Sequence, residues 1–314
     1  MFAQIVRRII YLVVVLVIMS AIVFFLMNMV TGDPVVIMLG HSANKETIEK
    51  LREQLGLNRS VFVQYFDWIS HVLRGDLGDS YTIPMTVSEV ILQRLPVTIE
   101  LTLFSMLFSV IVAIPLGIIS AIKFNSKTDM TLMGLSAACI SMPNFWIGVL
   151  LILLFSLKLS LLPASGYVLF LTSPLKNLKL MILPVITLSI WYIAVYMRFT
   201  RSTFIETLRS EYILVARAKG ILEKRVLWVH AFKNTLIPLV TVVGVNISGL
   251  FGGAVVTETI FGLPGIGRLL VDAILGRDLP LIEGIVLFIT TAVILCNLVV
   301  DILYVYIDPT IRYE

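Results

Sequence analysis

Clusters of histidine and cysteine would indicate a transition-metal site or a catalytic nucleophile in this sequence. The three histidines, His41, His71 and His230, are widely separated, and Cys139 and Cys296 each lie within a long apolar stretch. They form no metalloprotease or hydrolase motif and no Cys/His cluster with zinc spacing. Two thiols in apolar surroundings are typical of buried, inert cysteines. We therefore predict no catalytic, metal-binding or cofactor-binding residues in this chain.

Carboxylates inside apolar segments could move protons or ions across a membrane, because a charge there is costly and marks a functional or paired group. Glu100 lies near the start of one such segment, and Asp301 lies near the end of another, four residues after Asn297. This spacing puts Asn297 and Asp301 on one helical face, and we interpret them as a hydrogen-bonding pair at a helix end. An ion-coupled secondary transporter, which would use an intramembrane carboxylate or broken-helix repeats, is the alternative of a different class.

A charged stretch, SEYILVARAKG, begins at Ser210 and separates two long apolar segments. Ser210 is a good N-cap, Glu211 suits the positive start of a helix, and Gly220 can adopt the left-handed conformation that ends one. A helix of about nine residues is too short to be stable alone in water. Its apolar residues and its small Ala216 and Ala218 suit docking into a groove of another protein, whereas its basic residues also suit lipid headgroups. Both interpretations stay open on the residues alone.

The segments that could position this stretch are strongly apolar. Of the 314 residues, 58% are hydrophobic and 14% are charged, and the mean hydropathy is +0.99. A helix needs about 20 apolar residues to cross the bilayer core, and strands of that length would leave backbone groups unsatisfied in lipid. Six stretches qualify: 9–30, 96–122, 130–157, 180–198, 236–256 and 285–306. We predict an all-α polytopic membrane protein with six transmembrane helices.

The distribution of basic residues predicts the orientation of these spans. Arg7 and Arg8 precede the first span, which is longer than the apolar core of a cleaved signal and is interpreted as an anchor. Lysine and arginine are concentrated in the segments that this orientation places in the cytoplasm. Both termini are therefore predicted to be cytoplasmic. The net charge of +4 follows from this topology and requires no nucleic-acid partner.

This topology divides the chain into an N-terminal anchor with the first span (1–30), an extracytoplasmic helical segment (31–95) and a core of five spans (96–314). The core contains a cytoplasmic loop at 199–235. In the outer segment, SANKETIEKLREQLG and SVFVQYFDWISHVL have helical apolar patterns, and TVSE at 86–89 is a capping box. We expect these helices to pack on the outer ends of the spans, either as a structural cap or as a docking surface for an outside partner.

The third span contains a proline and an amide in its middle. Pro143 removes a backbone hydrogen bond and should kink the helix. Asn144, the next residue, either satisfies the freed backbone groups or faces a pathway through the protein.

Small residues with helical spacing occupy one region of the fifth span: Gly244, Ser248, Gly249, Gly252 and Gly253. Such residues let helix backbones approach closely, so this span packs either within the chain or against a second, similar subunit. The candidate pathway-lining residues are Asn144, Asn246, Ser248 and Gly249.

The segments EYILVARAKG and NTLIP resemble the cytoplasmic EAA loop of ABC-importer permeases. The likeness extends over nearly the whole chain. The dipeptide, oligopeptide and nickel permeases have segments similar, in the same order, to TGDP, LGLNRSVFVQYFDWI, GDLGDSY, RLPVTIELT, SMPNFWIGVLLILLFS, LLPASGY, HAFKNTLIP, GGAVVTETIFGLPGIGRLLVDAI, RDLP and NLVVDILYVYIDPTIR. The departures are small: Thr31 stands where the family often has proline, and Thr310 where it often has arginine.

The resemblance implies the type I ABC-importer permease architecture in a bacterial cytoplasmic (inner) membrane. It implies a homologous second permease, two ATP-binding subunits and an extracytoplasmic solute-binding protein as partners. ATP and Mg²⁺ are expected in the partner subunits, since this chain has no G-x-x-x-x-G-K-[ST] loop. The expected substrates are peptides or related small solutes, with nickel or a metal–chelator complex as the alternative. In the family the EAA loop forms the coupling helix that contacts the ATP-binding subunit, and the residues it places there are Glu211, Ala216, Arg217, Ala218 and Gly220.

Overall fold

The computed structural model describes residues 2–30, 35, 44–54 and 56–307. His41, Thr31 and Thr310 lie outside the described residues, as do the side chains of Arg7, Arg8 and Asp301. Within the described part the chain is helical and has no strand, apart from one isolated antiparallel bridge between Asp79 and Thr86. The helices are α1 (Phe2–Val30), α2 (Lys45–Gln54), α3 (Val61–Val72), α4 (Val87–Ile122), α5 (Lys127–Ser141), α6 (Asn144–Leu151), α7 (Pro174–Leu208), α8 (Glu211–Ala218), α9 (Glu223–Arg225), α10 (Phe232–Phe261), α11 (Ile266–Gly276) and α12 (Leu279–Ile307). Two π-helical segments, Ile152–Lys158 and Val226–Ala231, follow α6 and α9 without a break.

Five of the described helices are long and apolar enough to cross a membrane, and a sixth span is possible where two shorter helices are counted together. The apolar windows are Ile10–Met27, Val87–Ile122, Pro174–Leu208, Pro238–Phe261 and Leu279–Val300, with α5 and the α6 segment as the pair. The prediction of an all-α chain with six apolar spans is confirmed in this sense. The cytoplasmic position of the termini and the division into 1–30, 31–95 and 96–314 stay predictions.

The region around Pro143 corrects the prediction of one kinked helix over 130–157. The helices α5 and α6 are separate and meet at an angle of 103°. Met142 has φ −89° and ψ 131°, and Pro143 has φ −63° and ψ 135°. Proline disfavours the helical conformation of the residue before it, and here two consecutive residues are extended. The chain therefore turns sharply at Met142–Pro143 and does not merely bend.

The chain folds as two compact units, of which the first comprises Met1–Thr98 and Pro264–Leu295. In this unit α3 packs on the second half of α1. The Tyr65 ring lies 5.3 Å from that of Phe24, and the Tyr65 hydroxyl is 2.9 Å from Ser20 Oγ. The Phe62 ring lies 5.4 Å from that of Phe25 of α1, although Phe62 and Phe66 are each 67% exposed. The expected packing on a span is thus observed for α3; the packing of α2 and the outer position of these helices stay predictions.

The start of α4 is fixed by the predicted capping box. Glu89 N donates to Thr86 Oγ1 at 3.3 Å, and Thr86 N donates to Glu89 Oε2 at 3.2 Å. The first turns of α4 then pack against α11 and α12 in the core of this unit. Gly284 of α12 permits this close approach, because a Cβ there would overlap the Val87 side chain.

Asp278 anchors the loop before α4 to the start of α12. Its carboxylate is fully buried and accepts hydrogen bonds from Ser80 Oγ (2.5 Å), Thr82 N (2.9 Å) and Thr82 Oγ1 (2.8 Å). Its other oxygen accepts from Leu281 N at 3.3 Å and so caps α12. A carboxylate this deep is stable only because these donors replace water.

The second unit comprises Ile99–Leu263 and Cys296–Glu314. Its central element is α7, which contacts α5, α6 and α10. Glycines allow two of its close approaches: Gly117 of α4 lies against Thr200, and Gly253 of α10 lies against Leu188. This unit carries the charged stretch and the pathway candidates.

Replacing Asp278 with alanine should destabilise the first unit, because Ser80 and Thr82 would lose their shared acceptor and α12 its cap. We expect a loss of about 2–3 kcal/mol, measured as a lower melting temperature of the purified protein in detergent. The matched control is Asp272→Ala, since Asp272 is exposed and pairs with Arg268 only at 3.7 Å. Equal melting temperatures for the two variants would contradict the anchoring role.

Candidate functional site

The charged stretch forms α8, which runs from Glu211 to Ala218. Ser210 stands at the N-cap position with extended backbone angles, as predicted, but its side chain makes no capping bond. Its hydroxyl instead donates to Thr207 O at 2.6 Å, at the end of α7. Gly220 follows the helix with φ +75°, so the predicted left-handed stop is confirmed.

One face of α8 is buried against its own chain. Ile213 and Ala216 are 0% and 7% exposed and pack into a cluster that we call the seat. The seat consists of Ile118, Ala121, Phe204, Val226 and Ala231, from α4, α7 and the π-helical segment before α10. The seat provides the tertiary support that such a short helix requires.

The opposite face of α8 is exposed and largely apolar. Tyr212, Leu214 and Val215 are 43%, 56% and 52% exposed. Four of the five residues named for docking, Glu211, Arg217, Ala218 and Gly220, are also exposed. Ala216 is not available for docking, because its small side chain fits the seat. The contact of α8 with a partner stays a prediction.

Two polar contacts tie α8 to the helices that follow it. Arg217 donates from Nη2 and Nε to Glu223, at 2.6 and 3.1 Å, and this bonding raises the pKa of Arg217. Asn234 Nδ2 donates to the Tyr212 hydroxyl at 2.7 Å. Because both contacts are exposed, they orient α8 but add little stability.

A buried ion pair joins three helices. One of its residues lies close in the sequence to Phe204 of the seat. Arg201 of α7 donates from Nε and Nη2 to the two carboxylate oxygens of Asp129, at 2.7 and 2.8 Å. Ser120 Oγ and Asn125 N, at the end of α4 and just after it, donate to the same carboxylate. The Phe124 ring lies 5.2 Å from the Arg201 guanidinium carbon. Sequence reasoning missed this site, since the basic residues of this segment were considered only as cytoplasmic charges.

The pathway candidates are distributed over α6 and α10. Asn144 is the first residue of α6, half-buried, and its amide lies beside Gly253 of α10. Asn246 donates to Val242 O of its own helix at 2.7 Å. These contacts describe packing, and the lining of a pathway by Asn144 and Asn246 stays a prediction.

Ser248 and Gly249 meet residues of two other helices. Ser248 Oγ donates to Asn297 Oδ1 of α12 at 2.7 Å, and the Tyr192 hydroxyl of α7 lies against Gly249. Asn297 was expected to pair with Asp301, whose side chain lies outside the described residues. The observed partner of Asn297 is therefore on α10. Ser248, Gly249 and Gly253 thus contact other helices of the same chain, while Gly252 has open space where a Cβ would be. The lining of a pathway by Ser248 and Gly249, and packing of this span against a second subunit, stay predictions.

Glu100 is held by the loop that precedes α7. The Tyr167 hydroxyl donates to Glu100 Oε2 at 2.7 Å. Burial and this carboxylate together raise the pKa of Tyr167. The contact places LLPASGY, one of the family-like segments, against α4 and gives Glu100 a structural partner.

Comparison with known proteins identifies the family to which this chain belongs. Residues 113–313 match the family described as "Binding-protein-dependent transport system inner membrane component", and residues 1–102 match the N-terminal domain described for such membrane components. The chain belongs to this family. The resemblance found in the sequence, to ABC-importer permeases of the dipeptide and oligopeptide type, is thereby confirmed.

Relatives of this transport component align along its whole length. A protein of Brucella suis biovar 1 (strain 1330), named as a peptide transport system permease, is 41% identical over 314 residues and 100% of both chains. The dipeptide transport system permease protein DppB of Escherichia coli (strain K12) is 40% identical over 315 residues and 93% of both chains. The chain is thus a multi-pass membrane subunit of an ABC importer.

Among solved structures, the MetNI methionine ABC transporter in an inward-facing conformation contains a similar chain. The TM-score is 0.59 at 14% sequence identity, covering 70% of this chain and 97% of the other. At this identity the match establishes the fold of an ABC-importer permease and nothing about substrate.

Two ion pairs of the permease, one buried and one exposed, should contribute very different free energies to its stability. Arg201→Ala would leave Asp129, whose side chain is 4% exposed, without its cation. We expect a loss of about 3–5 kcal/mol for this variant. Arg217→Ala breaks a pair of the same bidentate geometry whose side chains are 38% and 55% exposed, and should cost about 0–1 kcal/mol.

Unfolding of both purified variants in detergent, by heat or denaturant, measures this difference. A double variant, Asp129→Ala with Arg201→Ala, should recover part of the stability because no charge is left buried and unpaired. Losses of equal size for Arg201→Ala and Arg217→Ala would show that the buried pair does not hold the three helices together.

Proposed function

We propose that this chain is one of two permease subunits of an ATP-driven peptide importer in a bacterial cytoplasmic membrane. Its full-length similarity to permeases named for peptide transport supports peptides as the substrate class. A homologous second permease would complete the pathway. A solute-binding protein would deliver the peptide from outside, and two ATP-binding subunits would supply the energy.

The observation that carries the ATP-driven mechanism is the two-faced burial of α8. Ile213 and Ala216 fix the helix on the seat, and Leu214 and Val215 present an apolar face away from it. An apolar surface flanked by charged residues is a typical protein interaction site. Docking of an ATP-binding subunit on this face would bury the exposed side chains without disturbing the seat.

The seat also supports a route for transmitting movement. It contains Ile118 of α4 and Phe204 of α7, and it adjoins the start of α10. A close-packed contact shifts as a body because small gaps are costly. Closure of the ATP-binding subunits would therefore displace α8 together with the ends of three candidate spans. ATP and Mg²⁺ would act in those partner subunits.

Site-directed crosslinking tests the docking face. In a background with Cys139 and Cys296 changed to serine, we expect a photoreactive thiol reagent at Leu214→Cys or Ala218→Cys to capture the ATP-binding subunit in the assembled transporter. Ser202→Cys is the control, since Ser202 is exposed on α7, outside the proposed face. Capture of phospholipid alone from both test positions would contradict docking and favour a helix that lies on the membrane.

Transport by the reconstituted complex tests the function itself. Proteoliposomes that contain both permeases and the ATP-binding subunits, with the solute-binding protein outside, should accumulate a labelled dipeptide only when ATP is present inside. Uptake that an uncoupler abolishes at constant ATP would instead indicate an ion-coupled secondary transporter. Uptake of a nickel chelate but of no peptide would reassign the substrate within the same architecture.

A further inference from the structure

The first unit contains a cavity of about 320 Å³. We call it the α3–α12 cavity, because Trp68 and Asp67 of α3 line it on one side and Glu283 of α12 lines it on another. Phe24 of α1 and Tyr81 complete its aromatic walls. Its volume is at the lower end of the range of small-molecule sites.

Two polar groups in the α3–α12 cavity have no hydrogen-bond partner among the residues that the structure describes. Glu283 is 5% exposed, and none of the hydrogen bonds or ion pairs of the described residues involves its carboxyl group. The buried indole N–H of Trp68 likewise has no acceptor. Buried polar groups are normally satisfied, and an unpaired buried carboxylate is especially costly. The two groups therefore offer an acceptor and a donor to a ligand.

The other acidic and basic side chains around the cavity already have partners. Arg59 Nη1 pairs with Asp67 Oδ2 at 2.8 Å, and the His71 ring contacts Asp67 O. Burial, and then the nearby Glu283 and Asp278 carboxylates, raise the pKa of Tyr81 to about 12, so its hydroxyl stays neutral at physiological pH. Among the described residues that line the cavity, the acid without a partner is thus Glu283.

A primary ammonium group is the chemistry that complements this cavity. It carries the charge opposite to that of a carboxylate, donates hydrogen bonds to it, and is attracted to the faces of aromatic rings such as those of Trp68, Tyr81 and Phe24. The indole N–H of Trp68 is a hydrogen-bond donor, so the same ligand must also carry an acceptor. The N-terminus of a peptide has both features, since the first carbonyl carbon is bonded directly to the carbon that bears the ammonium group.

We propose that the α3–α12 cavity binds the free N-terminus of a small peptide, with Glu283 as counter-charge for the ammonium and Trp68 donating to the first carbonyl. Identification of the amine as that of a peptide rests on the proposed function. The predicted extracytoplasmic position of 31–95 puts the cavity on the side from which a peptide arrives. The ammonium of a phosphatidylethanolamine headgroup has the same chemistry and is the other source to be tested.

Direct binding to the purified full chain tests this proposal. In nanodiscs of phosphatidylglycerol and phosphatidylcholine, calorimetry should detect binding of Ala-Ala, and N-acetyl-Ala-Ala should bind at least about tenfold more weakly because it has no ammonium. Glu283→Gln should weaken the binding of Ala-Ala by at least about tenfold, and Trp68→Phe by about two- to tenfold. Asp272→Asn, an acid-to-amide change outside the cavity, should leave it unchanged.

Several outcomes would overturn the proposal: no binding of Ala-Ala to the wild type, equal binding of the acetylated peptide, or unchanged binding by Glu283→Gln. Melting temperatures of the variants verify folding, and loss of the buried acid should not lower them. In nanodiscs that contain phosphatidylethanolamine, the affinity for Ala-Ala should stay within about twofold. Loss of binding there would assign the cavity to a lipid headgroup and overturn the peptide assignment.

The result of the binding experiment can be distinguished from that of the transport experiment. Peptide uptake without Glu283-dependent binding would reject the cavity and leave the proposed function standing. Glu283-dependent binding without ATP-driven peptide uptake would support the cavity as an amine site and reject the proposed function.

Discussion

The ion pair between Asp129 and Arg201 joins three helices in the second unit at one buried point. Two guanidinium bonds, the Ser120 hydroxyl and the Asn125 amide together satisfy the carboxylate. A charge can stay in this apolar surrounding only with such complete coordination. The ends of α4 and α5 are thereby fixed to α7. Three residues beyond Arg201, Phe204 enters the seat of α8, so the position of the short helix depends on this pair.

The seat explains how the charged stretch forms a helix, although the stretch is too short to fold alone and too polar to cross the membrane. Ile213 and Ala216 attach α8 to the ends of longer helices. The exposed apolar side chains of Leu214 and Val215 are then available for contacts outside the chain. The small Ala216 is needed on the inner face, where close packing leaves little room, and Leu214 and Val215 lie on the outer face. The buried support of this helix of 8 residues and the face proposed to contact a partner thus lie on opposite sides of it.

Local sequence patterns correctly predicted the structural features that depend on residues close together in the sequence. The apolar spans, the capping box of Thr86 and Glu89, and the left-handed stop at Gly220 were all correct. The break at Pro143 was underestimated, because proline excludes a conformation but does not set the angle between the helices it separates. The buried face of Ala216 and the coordination of Asp129 and Asp278 could not be predicted. Their partners lie 72 and up to 198 residues away in the sequence, and no periodicity within one helix reports on such pairs.

Three of the four acids that are buried among the described residues, Asp129, Asp278 and Glu283, have very different surroundings. Asp129 and Asp278 each bind several donors from their own chain. Glu283 is buried to a similar extent, yet it lines a cavity and has no hydrogen-bond partner in the part of the chain that the structure describes. A fold that satisfies two carboxylates so fully has the means to satisfy a third. Local violations of such rules are expected where function requires them, and this is the reason for proposing that the unpaired acid receives a cationic partner from outside the chain.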